Sequence, residues 1–264
     1  MKGQHSARWP YRQADPKWAN DTMSLKNKLI GVHLAVNGKT LADVRDWEWG
    51  DTIGTDGCLL TCLAMTLRLL ATDGARWTPR TLNREARKLL YYSDAGLSIV
   101  PLYADLLADV SDGSVQLCVQ EQYFAGEKGH PARFASQSSL IRGYRTLSPA
   151  KRLDFTVMVK IGTHDDTFAS HYVLVDPDQP GSPNEDDFAI LDPDQPKRKR
   201  VKSWFVSDSY RRLHDERQDI RTEWHKQGIR WQENQLCAVW AFARWRKRGS
   251  RCLAGDLFKA VTDC

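Results

Sequence analysis

The apolar positions of the chain centre on one stretch, Cys58–Leu70, where only three polar residues interrupt the apolar run. A helix that is apolar on nearly every face has to lie inside a protein, so this stretch predicts a buried central helix. Further helices are predicted over residues 78–92, 101–110 and 138–147. The first of these opens with Thr-Pro, an N-cap followed by a first-turn proline.

A period of two replaces this pattern further along the chain. The apolar residues at 155, 157, 159 and 161 occupy alternate positions, as in a strand with one buried face. Residues 171–175 and 188–191 are predicted to form two more strands, and 115–119 and 201–206 are further candidates. Helices followed by strands predict an α+β protein.

The last part of the chain, residues 209–264, is predicted to be helical. Residues 235–245 are interpreted as a packed amphipathic helix in which the apolar residues around Trp240 share one face. Residues 209–264 contain 12 Lys and Arg against 7 Asp and Glu, which accounts for the whole net charge of +5. The sequence therefore predicts two units, residues 1–208 and a basic, Trp-rich helical extension, residues 209–264.

Length and composition exclude several classes of protein. A chain of 264 residues with 41% hydrophobic residues can bury a sizeable core and is globular rather than disordered. The first residues are polar and lack the apolar segment of a signal peptide, and even Cys58–Leu70 is too short to span a membrane. We therefore expect the protein in the cytoplasm, in a virion, or outside the cell after export by a non-Sec route.

The six cysteines show no spacing typical of a metal site, such as CxxC, so we expect reduced thiols and neither a metal nor another cofactor. Cys58 is distinguished by its position, because it follows a glycine-containing loop and begins the predicted central helix. A helix N-terminus offers free N–H groups and a partial positive charge, which stabilise the thiolate, the nucleophilic form of cysteine. Cys62, one turn later, is predicted to belong to the core.

A cysteine nucleophile requires a base to take its proton and a third group to orient that base. His171 begins a predicted strand directly after a polar loop, and His164, inside that loop, is the second candidate for the base. Asp192, at the end of the following strand, is predicted to orient the histidine. Asp176 is the rival, but it ends the strand of His171 and lies ~16 Å away at ~3.3 Å per residue.

Cleavage of an amide also requires hydrogen-bond donors for the oxyanion that develops on the carbonyl oxygen. The backbone N–H of Cys58, at the start of the helix, supplies one donor. The side-chain amide of Gln13 is the candidate for the second donor.

Five motifs around these candidates resemble a known family. In chain order they are Tyr11-x-Gln13-x-Asp15-x-x-Trp18, Thr52-Ile53-Gly54-x-x-Gly57-Cys58, Thr78-Pro79-x-x-Leu82-Asn83, His171-Tyr-Val-Leu-Val and Leu191-Asp192-Pro193. Over about residues 9–207 the chain resembles the C39-like peptidases, papain-fold cysteine proteases related to the bacteriocin-processing peptidase domains.

The resemblance implies a papain-like fold, with the central buried helix packed on an antiparallel sheet. It also implies a role for each candidate: Cys58 as nucleophile, His171 as base, Asp192 as orienting residue and Gln13 as oxyanion amide. The interval from Trp18 to Thr52 is longer than is usual in that family.

The predicted function is hydrolysis of a peptide or isopeptide bond in a peptide or protein substrate. One alternative is a catalytically silent or structural protein on the same fold, such as a phage particle component or an effector. Another is a cell-wall cross-bridge hydrolase whose basic C-terminus grips an anionic polymer. A predicted basic patch would bind such a polymer or an acidic protein, and it consists of Arg244, Arg246, Lys247, Arg248 and Arg251.

Overall fold

The computed structural model of the chain describes residues 11–23, 52–89, 91–92, 100–122, 138–162, 170–181, 188–193, 199–201 and 235–245. The helices in this part of the chain are α1 (Ile53–Asp56), α2 (Cys58–Leu70), α3 (Pro79–Lys88), α4 (Val100–Val110), α5 (Ser139–Thr146) and α6 (Pro149–Arg152), and a single 3-10 turn covers Gly74–Arg76. The strands are β1 (Val115–Gln122), β2 (Phe155–Gly162), β3 (Ser170–Val175), β4 (Phe188–Leu191), β5 (Lys199–Val201) and β6 (Gln235–Arg244).

These six strands form one sheet in the order β1-β6-β2-β3-β4-β5. Every neighbouring pair in that order is antiparallel. The combination of helices with an antiparallel sheet confirms the α+β prediction, and the strands expected at 155–161, 171–175 and 188–191 are present.

The two faces of the sheet are covered by different helices. The alternation of side chains along β2 shows which residues face each helix. Phe155, Val157 and Val159 belong to one hydrophobic cluster, whereas Met158 belongs to the other. Side chains alternate across a strand, so one set faces α5 and the other faces α2. Other residues of the α5 side are Leu140, Ile141, Tyr144, Val173, Val175, Val239 and Ala241, and other residues of the α2 side are Leu60, Leu63, Leu67, Tyr172, Leu174, Trp240 and Phe242.

Helix α2 is the buried central helix that the sequence predicts. Of its 13 residues, all except Cys58, Arg68 and Leu69 are buried. The hydroxyl of Thr156 on β2 donates to Thr66 Oγ1 at 3.2 Å, so a buried polar contact fixes the helix to the sheet. None of the helices in the described part of the chain is long and apolar enough to cross a membrane.

The helix predicted over residues 235–245 is wrong, because residues 235–244 form strand β6. This strand lies between β1 and β2 and pairs with both. Residues 239, 241 and 243 face the α5 side, while 238, 240 and 242 face the α2 side. A short apolar run buried on both faces does not reveal its period, so the neighbouring strands decide its conformation.

The predicted helical extension over residues 209–264 is therefore wrong for residues 235–244, which are an integral part of the sheet. Trp240, which the sequence assigned to a helical face, is 1% exposed and stacks on Tyr172 of β3, with 5.9 Å between the ring centroids. Residues 209–234 and 246–264 lie outside the described part of the chain, so the division at residue 208 stays a prediction for them.

Candidate active site

Cys58 is the first residue of α2, and a tightly packed loop of residues 52–57, which includes the single-turn helix α1, leads into it. A Cβ atom on Gly57 would lie 2.3 Å from the carbonyl oxygen of Ile53, and one on Gly54 would lie 2.9 Å from that of Ala19. Both distances are shorter than any normal contact, so the loop adopts this path only with glycine at the two positions. The two glycines therefore fix where α2 begins and where the sulfur of Cys58 is placed.

The segment formed by residues 11–23 holds this loop in place through its main chain. The N–H of Ile53 donates to Asp21 O at 3.0 Å, and the N–H of Gly54 donates to Ala19 O at 2.8 Å. The N–H of Gln13 donates to Pro193 O at 2.7 Å, directly after Asp192. The segment therefore joins the loop before Cys58 to the turn that carries Asp192.

The imidazole of His171 is hydrogen-bonded to the carboxylate of Asp192. Its Nε2 atom lies 2.8 Å from Asp192 Oδ1, and the two residues are 4% and 0% exposed. Strand β4 contains four residues and pairs Leu191 with Leu174 of β3. Asp192 directly follows Leu191, so the exit of β4 carries the carboxylate that reaches the histidine.

The side chain of Cys58 interacts with the ring of His171 and raises the pKa of that ring. Because Asp192 occupies Nε2, the nitrogen left for Cys58 is Nδ1. The three side chains thus form a series, thiol to imidazole to carboxylate. Cys58 is half-buried, whereas the other two are buried, so the sulfur is the member of the series that a substrate can reach.

The electrostatic environment of His171 favours its protonated form. Burial by itself lowers the pKa of the ring, but the charge and the hydrogen bond of Asp192 raise it, and Cys58 adds a smaller contribution in the same direction. The net result is a pKa well above the ordinary 6.5 of histidine. The ring can therefore take the thiol proton of Cys58 and hold it as an imidazolium.

Gln13 lies at the same site, with 6% of its surface exposed. Its Nε2 donates to Gly54 O at 3.2 Å and only weakly to Thr55 O at 3.5 Å. If the oxygen and nitrogen of the Gln13 amide were exchanged, its Oε1 would face the carbonyl oxygens of Gly54 and Thr55. These two carbonyls therefore fix the orientation of the amide. Within the described residues its Oε1 is buried without a hydrogen-bond partner.

The carboxylate of the rival candidate Asp176 takes part in a turn. Asp176 is buried, and its Oδ1 accepts the N–H of Asp178 at 2.9 Å, which closes the turn after β3. His164 lies outside the described residues. Asp192, rather than Asp176, is the carboxylate that contacts His171.

Arg244, a predicted member of the basic patch, is hydrogen-bonded to the end of α2. Its Nε and Nη2 atoms donate to the carbonyl oxygens of Leu70 and Leu69 at 3.0 and 2.9 Å. These carbonyls are at the C-terminus of α2, where a helix has unsatisfied acceptors and a partial negative charge. The other predicted members of the patch lie outside the described residues, and they are Arg246, Lys247, Arg248 and Arg251.

One contact near the site is not anticipated by the sequence. Cys62 is buried, as predicted, but its Sγ also donates to Tyr172 O at 3.3 Å. Burial raises the pKa of the Cys62 thiol well above its ordinary value, and the charges of Cys58 and Asp192 raise it further. The spacing of four residues from Cys58 was the available signal, because it places both sulfurs on one face of the helix.

The site is not arranged to bind a metal ion. Throughout the part of the chain that the structure describes, no group of three or more His, Cys, Asp and Glu could hold a metal ion.

Comparison with known proteins gives no match: no family model matches this chain, and neither a curated protein nor a solved structure is significantly similar to it. What the site can do is therefore judged from its own chemistry. A half-exposed thiol, a histidine that binds protons strongly and a buried carboxylate together form the arrangement that activates a nucleophile.

Proposed function

We propose that this chain is a cysteine hydrolase that cleaves a peptide or isopeptide bond. Cys58 is the nucleophile and His171 is the base. Asp192 orients the imidazole of His171 and stabilises its protonated form. The observation that carries the proposal is the continuous series of contacts from Cys58 through His171 to Asp192 at the N-terminus of a buried helix. Nucleophile, base and orienting group in series are the signature of covalent acyl transfer.

The reaction would proceed through an acyl-enzyme. His171 takes the proton of Cys58, and the thiolate attacks the carbonyl carbon of the scissile bond. The resulting tetrahedral species collapses when the imidazolium of His171 gives its proton to the leaving amine and the C–N bond breaks. A water molecule, deprotonated by His171, then attacks the thioester, releases the carboxylic acid and returns the proton to Cys58.

Two groups are placed to stabilise the oxyanion of the tetrahedral species. Cys58 is the first residue of α2, so its N–H has no acceptor within that helix. The Gln13 amide is held beside the same loop by Gly54 O. A negative charge at this helix end is also favoured by the helix dipole.

The C39-like, papain-fold assignment is part of this proposal. It is supported by the motifs that resemble that family and by a buried helix with the nucleophile at its N-terminus. It is also supported by an antiparallel sheet in which one strand carries His171 and the exit of the next carries Asp192. The mixed α+β architecture is compatible with other folds, so the site carries more weight than the topology.

The cell-wall hydrolase alternative keeps one exposed tryptophan among the described residues, Trp245, which is 39% exposed. It relied on an exposed, basic and Trp-rich C-terminal segment. Trp240 is instead 1% exposed within the sheet, and the guanidinium of Arg244 is bonded to the end of α2. The catalytically silent alternative predicts that Cys58 has the reactivity of an ordinary thiol.

The test is competitive alkylation of the native protein with a limiting amount of iodoacetamide, with each cysteine quantified by peptide mass spectrometry. Cys118 is a matched internal control, because it is half-buried like Cys58. The proposal requires Cys58 to be alkylated much faster than Cys118 at neutral pH. It also requires His171→Ala to reduce the rate at Cys58 to that of an ordinary thiol.

A second assay tests bond cleavage itself. The protein is incubated with a peptide library and with an unfolded protein, and new termini are detected by mass spectrometry, with Cys58→Ala as the negative control. Cleavage by the native chain alone supports the hydrolase. If Cys58 is alkylated no faster than Cys118, the hydrolase proposal fails, and a silent or structural protein becomes the better interpretation.

A further inference from the structure

We propose that Cys62 is a positioning residue of this site, whose thiol fixes the helix that carries Cys58 against the strand that carries His171. The inference rests on the proposed function, because it concerns the same pair of groups. Its basis is the contact from Cys62 Sγ to Tyr172 O, 3.3 Å long, between residues 110 positions apart in the chain.

The contact lies on β3 just before the residues at which β3 pairs with β4. In the described register, β4 pairs with β3 at Leu174 and Val175, and it ends at Leu191. The Tyr172 carbonyl lies two residues before Leu174, and Cys62 of α2 provides its donor. Buried carbonyl groups need donors, and the thiol of Cys62 gives this one a donor from a different element of the fold.

The position of the contact suits it to control the distance between nucleophile and base. Cys62 follows Cys58 by four residues, which is about 6 Å along a helix. Tyr172 directly follows His171 on β3. A shift of α2 against β3 at this contact would therefore move Cys58 relative to His171 by a similar amount, because both elements are rigid over so short a distance.

A thiol is well suited to this role so close to a reactive cysteine. Burial first, and then the negative charges of Cys58 and Asp192, raise the pKa of Cys62 well above its ordinary value. Cys62 therefore keeps its proton and remains a donor to Tyr172 O. It neither places a second anion beside the thiolate of Cys58 nor competes with it as a nucleophile.

The experiment measures the rate of iodoacetamide alkylation at Cys58 as a function of pH in three variants. Cys62→Ala removes the donor, and Cys62→Ser keeps a donor. Thr66→Val is the matched control, because it removes a buried contact between the same helix and Thr156 of β2, a strand that does not carry His171.

We expect Cys62→Ala to lower the alkylation rate of Cys58 at neutral pH by roughly tenfold, less than the ~100-fold that a 1 Å misplacement of reacting groups can cost. At high pH its rate should approach that of the wild type, because the thiolate then forms without help from His171. Cys62→Ser should recover most of the loss. Thr66→Val should keep the wild-type pH profile even where it lowers the melting temperature.

The outcomes separate this inference from the proposed function. If wild-type Cys58 shows no enhanced reactivity, the proposed function fails. If the wild type is reactive and Cys62→Ala has the same pH profile, only the positioning role of Cys62 is rejected. An equal change in Thr66→Val would also reject it, since general loosening would then explain the effect. If Cys62→Ala does not fold, Cys62→Val takes its place, because valine also has no donor. The alkylation rate of Cys58 at neutral pH must then be lower in Cys62→Val than in Cys62→Ser.

Discussion

The Nε2 atom of His171 lies 2.8 Å from Oδ1 of Asp192, across two consecutive strands and 21 residues of sequence. His171 is the second residue of β3, and Asp192 directly follows Leu191, which ends β4 and pairs with Leu174 near the end of β3. Because the two strands are antiparallel, the exit of β4 runs towards the start of β3, where His171 lies. The pairing of these two strands therefore brings Asp192 to His171.

Replacing Asp192 by Asn tests the electrostatic role of this contact. The charge of Asp192 raises the pKa of His171, and burial lowers it, so loss of the charge should lower the pKa of the ring. Proton transfer from Cys58 to His171 then becomes less favourable. We expect the alkylation rate of Cys58 at neutral pH to fall by at least roughly tenfold, the equivalent of one pKa unit, and to recover at high pH.

Asp176→Asn is the matched control for that substitution. Asp176 is equally buried, but its carboxylate accepts the N–H of Asp178, and an Asn side chain keeps an oxygen acceptor there. Its pH profile of Cys58 alkylation should match that of the wild type. A larger change in Asp176→Asn than in Asp192→Asn would identify Asp176 as the functional carboxylate.

Replacing Cys58 by Ala should abolish cleavage and alkylation at this position without unfolding the protein. The side chain is half-buried at the N-terminus of α2, so removal of the sulfur leaves only a small cavity. Far-ultraviolet circular dichroism and the melting temperature check the fold, and peptide mass spectrometry checks the labelling. Full hydrolytic activity in Cys58→Ala would show that another nucleophile acts.

Replacing Gln13 by Ala or Glu separates oxyanion stabilisation from packing. Alkylation by iodoacetamide forms no oxyanion, whereas acylation by an active ester passes through one. If Gln13 donates to the oxyanion, both variants should lose about 10²–10³-fold in acylation, the usual cost of one donor, with a much smaller change in alkylation. Equal losses in the two reactions would mean that Gln13 only supports the loop through Gly54 O.

Replacing Arg244 by Ala tests the structural role of its guanidinium group. Two hydrogen bonds from its guanidinium group satisfy carbonyls at the end of α2, so their loss should lower the free energy of unfolding by about 1–3 kcal/mol. Arg244→Lys, with a single point charge, should lie between Arg244→Ala and the wild type. Denaturant titration measures the change. An unchanged stability with weaker adhesion to anionic polymers would restore the basic-patch interpretation for Arg244.

The sequence alone determined the parts of this protein that depend on local pattern. The apolar run of α2 could only be buried, and the alternation in β2 required a sheet with two different faces. A cysteine at the start of that helix and a histidine at the start of a strand were visible as positions. The choice of Asp192 over Asp176 followed from the rise of a strand, which puts Asp176 too far along β3.

Only the tertiary structure decided what depends on partners distant in sequence. The apolar run of residues 235–244 fits a buried helix or a buried strand equally well, and it becomes a strand because β1 and β2 leave a gap between them. The same placement brings Arg244 to the end of α2, although a basic residue in a basic segment gave no sign of a buried partner. The contact of Cys62 with Tyr172 was hidden for the same reason: a sequence shows which groups can donate, and the packing of helix on sheet decides where they find an acceptor.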